Sequence, residues 1–167
     1  MSNTCFLSDI HLDHPKALQI RGWFPTLKEY QEYVCDIWID KVTPRTTIYL
    51  LGDIAFTWEG LSIIKKLPGK KLLVAGNHDH TRNSTRDLLE VYDEIYGLHR
   101  HRSGLWLSHA PIHHSELRGK LNVHGHTHEK IIQDPRFINV SIEHLREGPV
   151  DLELIRSGEY RTWRDNK

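Results

Sequence analysis

The sequence predicts an α/β fold, with residues 1–167 forming one domain. Three observations carry that expectation. Five short apolar runs of strand length recur along the chain, helix-capping signals lie between them, and 167 residues are enough to bury a single core. The runs are Thr4 to Leu7, Thr46 to Leu51, Lys71 to Ala75, Leu105 to Leu107 and Leu121 to Val123. Each reads as a buried strand, and the intervening helices complete a βαβ pattern.

The first helix signal is at Thr26, where Thr26 and Glu29 have the spacing of a capping box, and Tyr30, Val34, Ile37 and Trp38 follow at helical intervals toward Lys41. Pro25 and Pro44 bound it. A second helix is expected over Trp58 to Leu67, with Leu61, Ile64 and Leu67 as its apolar stripe and Pro68-Gly69 as its stop. A third, shorter one follows Ser84, capped with Asp87 and carrying Leu88, Leu89 and Val91. Beyond Tyr92 the pattern becomes strand-like, with Ser103-Gly104 turning a hairpin between Leu98 to Arg102 and Leu105 to Ser108. Phe137 to Ser141 suggests a further strand, and the segment from Val150 a short helix.

Composition narrows the function. The 22 Lys and Arg balance the 22 Asp and Glu, so no global field draws the chain to nucleic acid or an anionic membrane. No apolar stretch is long enough to span a bilayer, and the N-terminus lacks the features of a secretory signal, so a cytoplasmic location without membrane partners is expected. Cys5 and Cys35 lack the spacing of a zinc ribbon or redox motif and read as core residues. The abnormal quantity is the 13 histidines.

Each of the five apolar runs ends in residues suited to metal ligation: Asp9 and His11 after Leu7, Gly52-Asp53 after Leu51, Gly76-Asn77-His78-Asp79 after Ala75, His109 after Leu107, and Gly125-His126-Thr127-His128 after Val123. Functional groups of open α/β sheets gather at the carboxyl ends of strands, so residues distant in sequence can share one site. Alone, each block is an ordinary turn. Together and in order, they specify a centre.

This series resembles the calcineurin-like metallophosphoesterase superfamily, whose pattern runs DxH, GD, GNH(D/E), H, GHxH. It covers residues 9 to 128, with all five blocks intact. The resemblance implies a pair of packed mixed β-sheets flanked by helices, an αββα sandwich. It also implies one metal held by Asp9, His11, Asp53 and His128 and a second by Asp53, Asn77, His109 and His126. Asp53 would bridge. His78, outside the ligand set, would stabilise the transition state or protonate the leaving oxygen, with Asp79 expected to hydrogen-bond it and raise its basicity.

Physical chemistry agrees with such a centre. Two divalent ions about 3.5–4 Å apart repel, and a shared carboxylate offsets that repulsion. Nitrogen and oxygen donors without thiolate suit Mn²⁺, Fe, Co²⁺, Ni²⁺ or Zn²⁺ better than an oxygen-only Mg²⁺ or Ca²⁺ site, with Mn²⁺ favoured. The expected reaction is hydrolysis of a phosphodiester or phosphomonoester of a small or nucleotide-like substrate by a metal-bridging hydroxide.

Other features are weaker. His14, His80, His113, His114 and His124 lie near the motifs, with His113 and His114 expected to overhang the site and His124 to lie in the core or behind a ligand. His99, His101 and His144 read as surface or structural. Lys65, Lys66, Lys70 and Lys71 read as a solvated surface rather than a nucleic-acid site, whereas Arg82 and Arg86 follow the GNHD block and are better placed to meet a phosphate. Trp23, Phe24, Phe56 and Trp58 either line a substrate pocket or cover the sheet edge. The run Gly52 to Trp58 lacks the GDxVDRG arginine of the protein serine/threonine phosphatases, which disfavours a protein substrate. A nucleic-acid-processing enzyme and a catalytically inactive scaffold are the alternatives. The sequence leaves the oligomeric state open.

Overall fold

Strands alternate with capped helices in the computed structural model, which describes residues 3–162. The first half contains β1 (Thr4–Leu7), α1 (Pro15–Arg21), α2 (Leu27–Lys41), β2 (Thr47–Leu50), α3 (Trp58–Lys66), β3 (Lys70–Val74), α4 (Thr85–Leu89) and β4 (Glu94–Tyr96). The second contains β5 (His99–Arg100), β6 (Trp106–Ser108), a 3₁₀ turn (His114–Leu117), β7 (Asn122–His124), β8 (Phe137–Asn139), β9 (Val150–Asp151) and α5 (Leu152–Ser157).

Two mixed sheets result, flanked by helices as expected. One has the order β4-β3-β2-β1-β9, with β9 alone antiparallel; the other runs β5-β6-β7-β8, with β5 antiparallel to β6. Residues of both sheets, including Phe6, Leu50, Leu73, Leu107, Val123 and Ile138, belong to one buried cluster. Helix α2 closes it with Tyr30, Val34 and Trp38, and Trp38 Nε1 also donates to the Pro68 carbonyl at 3.0 Å. Truncating Trp38 to Ala would cost about 3–5 kcal/mol.

Register places the site. Leu7 lies beside Leu50, and Leu50 beside Leu73, so the carboxyl ends of β1, β2 and β3 are level. In the other sheet Ser108 pairs with His124, and His124 with Asn139. An isolated parallel bridge between Ser8 and Ser141 joins the two edges. The segments following five parallel strands therefore meet at one seam.

Several local details differ from the expectations. Thr26 Oγ1 accepts from the Glu29 N–H at 3.2 Å, but the Glu29 carboxylate takes the Thr26 hydroxyl at 2.7 Å, so this cap is not the reciprocal box; Ser84 with Asp87 is. Helix α1 carries no Ser, Thr or Asp cap signal: its cap is the His14 imidazole, accepting from the Ala17 N–H at 3.1 Å. The short strand β9, seated against β1, precedes the expected final helix.

Candidate metal centre

All seven residues predicted as ligands converge at the seam. Asp9, His11 and His128 present donor atoms within 4.8 Å of one another, as do Asp9, Asp53 and His109. His11 Nε2 lies 3.8 Å from Asp9 Oδ1 and 3.8 Å from Asp53 Oδ2, and His128 Nε2 lies 3.8 Å from Asp9 Oδ1. On the other side His109 Nε2 stands 3.4 Å from Asp53 Oδ2, 3.0 Å from Asn77 Oδ1 and 3.0 Å from His126 Nδ1. Asp53 Oδ2 thus faces both groups.

Each carboxylate has one oxygen anchored and the other directed at imidazoles. Asp9 Oδ2 is surrounded by the Ser8 hydroxyl (2.7 Å), the Ser141 hydroxyl (2.8 Å) and the His126 N–H (2.8 Å), whereas Asp9 Oδ1 is buried with no hydrogen-bond partner. Asp53 Oδ1 accepts from the His78 N–H at 2.9 Å. His11 Nε2 is likewise buried without a partner. Buried polar atoms normally find partners, so unpartnered carboxylate oxygen beside unpartnered ring nitrogen fits a site for divalent cations.

Electrostatics point the same way. Burial alone would push the Asp9 carboxyl up, but the His11, His109 and His128 rings and the Ser8 hydroxyl outweigh it and hold Asp9 well below the carboxylate range. Asp53 is also lowered: His109, the His78 N–H and His11 overcome its burial. Burial would lower His109, yet Asp53 and Asp9 raise it to about 9. The concentrated negative charge attracts cations.

The backbone is strained at the same place. Among the described residues seven non-glycines have positive φ, and five are Asp9 (56°), His11 (54°), Asp53 (57°), His126 (67°) and His128 (50°). The left-handed conformation costs about 1–2 kcal/mol per ordinary residue, so its concentration on chemistry-bearing side chains marks a functional site. Two glycines serve the same geometry. Gly52 turns at φ +84°, with a Cβ position only 2.5 Å from His109 Nδ1, and a Cβ on Gly125 would collide with Ser8 Oγ and Asp9 Oδ2.

His78 stands beside the centre, its Nε2 4.0 Å from Asp53 Oδ2 and its side chain 41% exposed. Phe56 stacks on His11 with 5.5 Å between centroids and lies 5.0 Å from His78 and 4.2 Å from His14. Phe56 and His14 therefore form a wall of the site.

Asp79 requires a correction. It does not pair with the His78 ring. Its buried carboxylate accepts from the N–H groups of Gly76 (2.7 Å), Asp53 (2.9 Å) and Ile54 (3.1 Å), tying the turn after β3 to the turn after β2. The tight turn after Gly76 folds this side chain inward against backbone donors while His78 faces outward.

His113 and His114 do not overhang the centre; they line a separate cavity of about 540 Å³ with Asp134, Arg136 and Phe137. Their loop continues into the 3₁₀ turn, where His113 Nδ1 caps the Ser115 N–H. His124 is buried in β7, and burial pushes it down to about 4. His101 is buried too, and His144 Nε2 meets the His128 carbonyl at 2.8 Å, so both are structural. Lys65 and Lys70 pair with Glu90 and Glu94, Lys71 is buried, and Trp23 packs under Arg146 at 3.9 Å. Trp58 and both Arg82 and Arg86 are exposed.

Sequence reasoning missed Ser8, Ser141, Glu143 and Arg21. Ser8 and Ser141 had a usable signal, since they too follow apolar runs at strand ends; Arg21, at the end of an unrecognised helix, and Glu143, four residues beyond β8, had none.

A second cavity of about 610 Å³ opens beside the centre, bounded by His11, His126 and His128 and by Ala17, Ile20 and Lys130. Among the described residues no helix is long and apolar enough to cross a membrane.

No family model matches the chain. It is 31% identical to the Gene 66 protein of Mycobacterium phage L5, covering 79% of this chain and 80% of that protein. It is 28% identical to the Gene 66 protein of Mycobacterium phage D29, covering 86% and 89%. A crystal structure of a protein of unknown function from Aquifex aeolicus superimposes with a TM-score of 0.74 at 26% identity, covering 94% of this chain and 99% of the other.

Proposed function

The chain belongs to the family of the mycobacteriophage Gene 66 proteins, and we propose that it is a dinuclear-metal phosphoesterase of the calcineurin-like type. Its substrate in this reading is a small or nucleotide-like phosphodiester, with a phosphomonoester as the second choice. The carrying observation is the convergence of Asp9 Oδ1, His11 Nε2 and His128 Nε2 on one side of Asp53 Oδ2, and of Asn77, His109 and His126 on the other.

Asp9, His11, Asp53 and His128 would hold the first divalent cation, and Asp53, Asn77, His109 and His126 the second. The donor set suits Mn²⁺, with Fe, Co²⁺, Ni²⁺ and Zn²⁺ as alternatives. When bound, such a pair supplies Lewis acidity toward phosphoryl oxygens and acidifies water.

The protein's own groups orient the reaction. Ser8, Ser141 and the His126 N–H fix Asp9, and the His78 N–H fixes Asp53, so both carboxylates are preorganised. His78, half exposed at the rim, offers a proton at Nε2 to a departing alkoxide. Phe56 and His14 shield one side of the site from water and limit how a substrate enters.

The test is hydrolysis of bis-p-nitrophenyl phosphate by EDTA-treated protein resupplied with Mn²⁺, followed by cyclic nucleotides, dinucleotides and short oligonucleotides. Turnover that returns with metal is expected. Folded protein inactive with Mn²⁺, Fe²⁺, Co²⁺, Ni²⁺ and Zn²⁺ would overturn the enzymatic reading in favour of a scaffold.

A further inference from the structure

Arg21 and Glu143 lie outside every sequence motif, yet they link the first and last ligand-bearing loops. Arg21 makes four hydrogen bonds and a close ion pair through its guanidinium fork. Nε and Nη2 reach Glu143 Oε1 at 2.9 and 2.8 Å, Nη2 reaches the Asp9 carbonyl at 2.5 Å, and Nη1 reaches the Ile10 carbonyl at 2.9 Å and the Tyr30 hydroxyl at 2.8 Å. Both side chains are buried, 6% and 5% exposed. Glu143 Oε1 also accepts from His128 Nδ1 at 2.9 Å.

That last contact decides which ring nitrogen of His128 is available. A neutral imidazole that donates from Nδ1 has its lone pair at Nε2, the atom 3.8 Å from Asp9 Oδ1. At the other end Arg21 grips the carbonyls of Asp9 and Ile10, next to the left-handed Asp9 and His11. A continuous path therefore runs from the Asp9 to His11 turn through Arg21 and Glu143 to His128.

We propose that Arg21 and Glu143 are positioning residues for the first cation site: Glu143 sets the tautomer and direction of His128, and Arg21 holds both Glu143 and the strained Asp9 to His11 turn. Both also line the cavity of about 610 Å³ that opens beside the centre. The inference rests on the cation-binding reading above. Packing alone is a poor account, because Glu143 Oε2 is buried with no hydrogen-bond partner, and a buried ion pair adds little stability that apolar side chains of similar volume would not. A carboxylate behind a ligating histidine instead orients the ring and raises its basicity.

The experiment titrates Mn²⁺ calorimetrically into EDTA-stripped parent, Glu143→Gln and Arg21→Lys proteins, and repeats it in an Asn77→Ala background that isolates the first site. It is paired with urea unfolding of the stripped proteins and with long-range ¹H–¹⁵N spectra of His128 in Zn²⁺-loaded protein. Glu143→Gln is expected to weaken one of two sites about 10–100-fold, leave the other unchanged, and disturb the His128 signal. Arg21→Lys, which keeps the charge but loses the fork, should weaken the same site, and it supplies the test if Glu143→Gln does not fold. Unchanged binding in both variants would overturn the proposal while leaving the cation reading intact. Equal weakening of both sites in step with a lowered urea midpoint would also overturn it, assigning the pair to packing. A folded parent that binds no Mn²⁺ would remove the cation reading and this proposal together.

Discussion

The Leu51 carbonyl and the His109 ring meet at 2.8 Å through Nδ1, which leaves Nε2 directed at Asp53, 3.4 Å away. A backbone atom at the end of β2 thereby sets the tautomer of a side chain at the end of β6. Asp53, two residues beyond that carbonyl, stands between His109 and His11, and this position decides what its substitution should do.

Asp53→Asn is expected to remove most of both bound cations together with activity, because it takes a charged donor from two sites at once. Asn77→Ala should weaken chiefly one site, leaving roughly one metal per chain. Elemental analysis after gel filtration reads both. An Asp53→Asn protein that retained two metals would show that Asp53 does not bridge.

His78→Ala should discriminate between leaving groups. General acid catalysis is worth about 10²–10⁴-fold, so the variant should lose roughly that factor in kcat on a diester with an alkoxide leaving group and clearly less on a nitrophenyl ester. Metal content should remain at the parent level. Equal losses on both substrates would instead assign His78 to electrostatic stabilisation of the phosphoryl oxygens.

Asp79→Ala is a stability prediction. Three backbone N–H groups would lose their acceptor, and each unsatisfied buried donor costs about 1–3 kcal/mol, so a loss of roughly 3 kcal/mol or more is expected. Urea unfolding with EDTA present measures it without interference from metal. A variant as stable as the parent would mean that water replaces the carboxylate.

His101 contributes to the pH dependence of stability. It is 4% exposed, packed against Phe6 and Tyr49, and accepts the Ser103 N–H at Nδ1. Burial, with help from His99 and Arg102, holds its imidazole below the usual histidine range. The unfolded chain takes up a proton near pH 6.5 and the folded one only lower, so the stability contribution is whole above about 6.5 and is lost as pH falls below it. Urea midpoints of parent and His101→Gln at pH 7.5 and 5, both in EDTA, should show the smaller decline in the variant. Identical declines would remove His101 as a source.

The sequence by itself determined most of the strand and helix succession, though not α1 or β9, and the chemistry stationed at each strand end, because apolar runs, caps and strand-terminal Asp and His residues are local signals. It could not determine which atoms face one another. The reading of Asp79 as a partner of His78 followed from adjacency, and the tertiary turn sends the two side chains in different directions. The same limit hid Arg21 and Glu143, which are 122 residues apart and meet near the seam that the Ser8 to Ser141 bridge closes between the sheets. Strand register made the site one place, the left-handed turns aimed its side chains, and buried hydrogen bonds chose which oxygen and which ring nitrogen each presents. Those are long-range choices, made when two sheets bury a common core, and no window of sequence contains them.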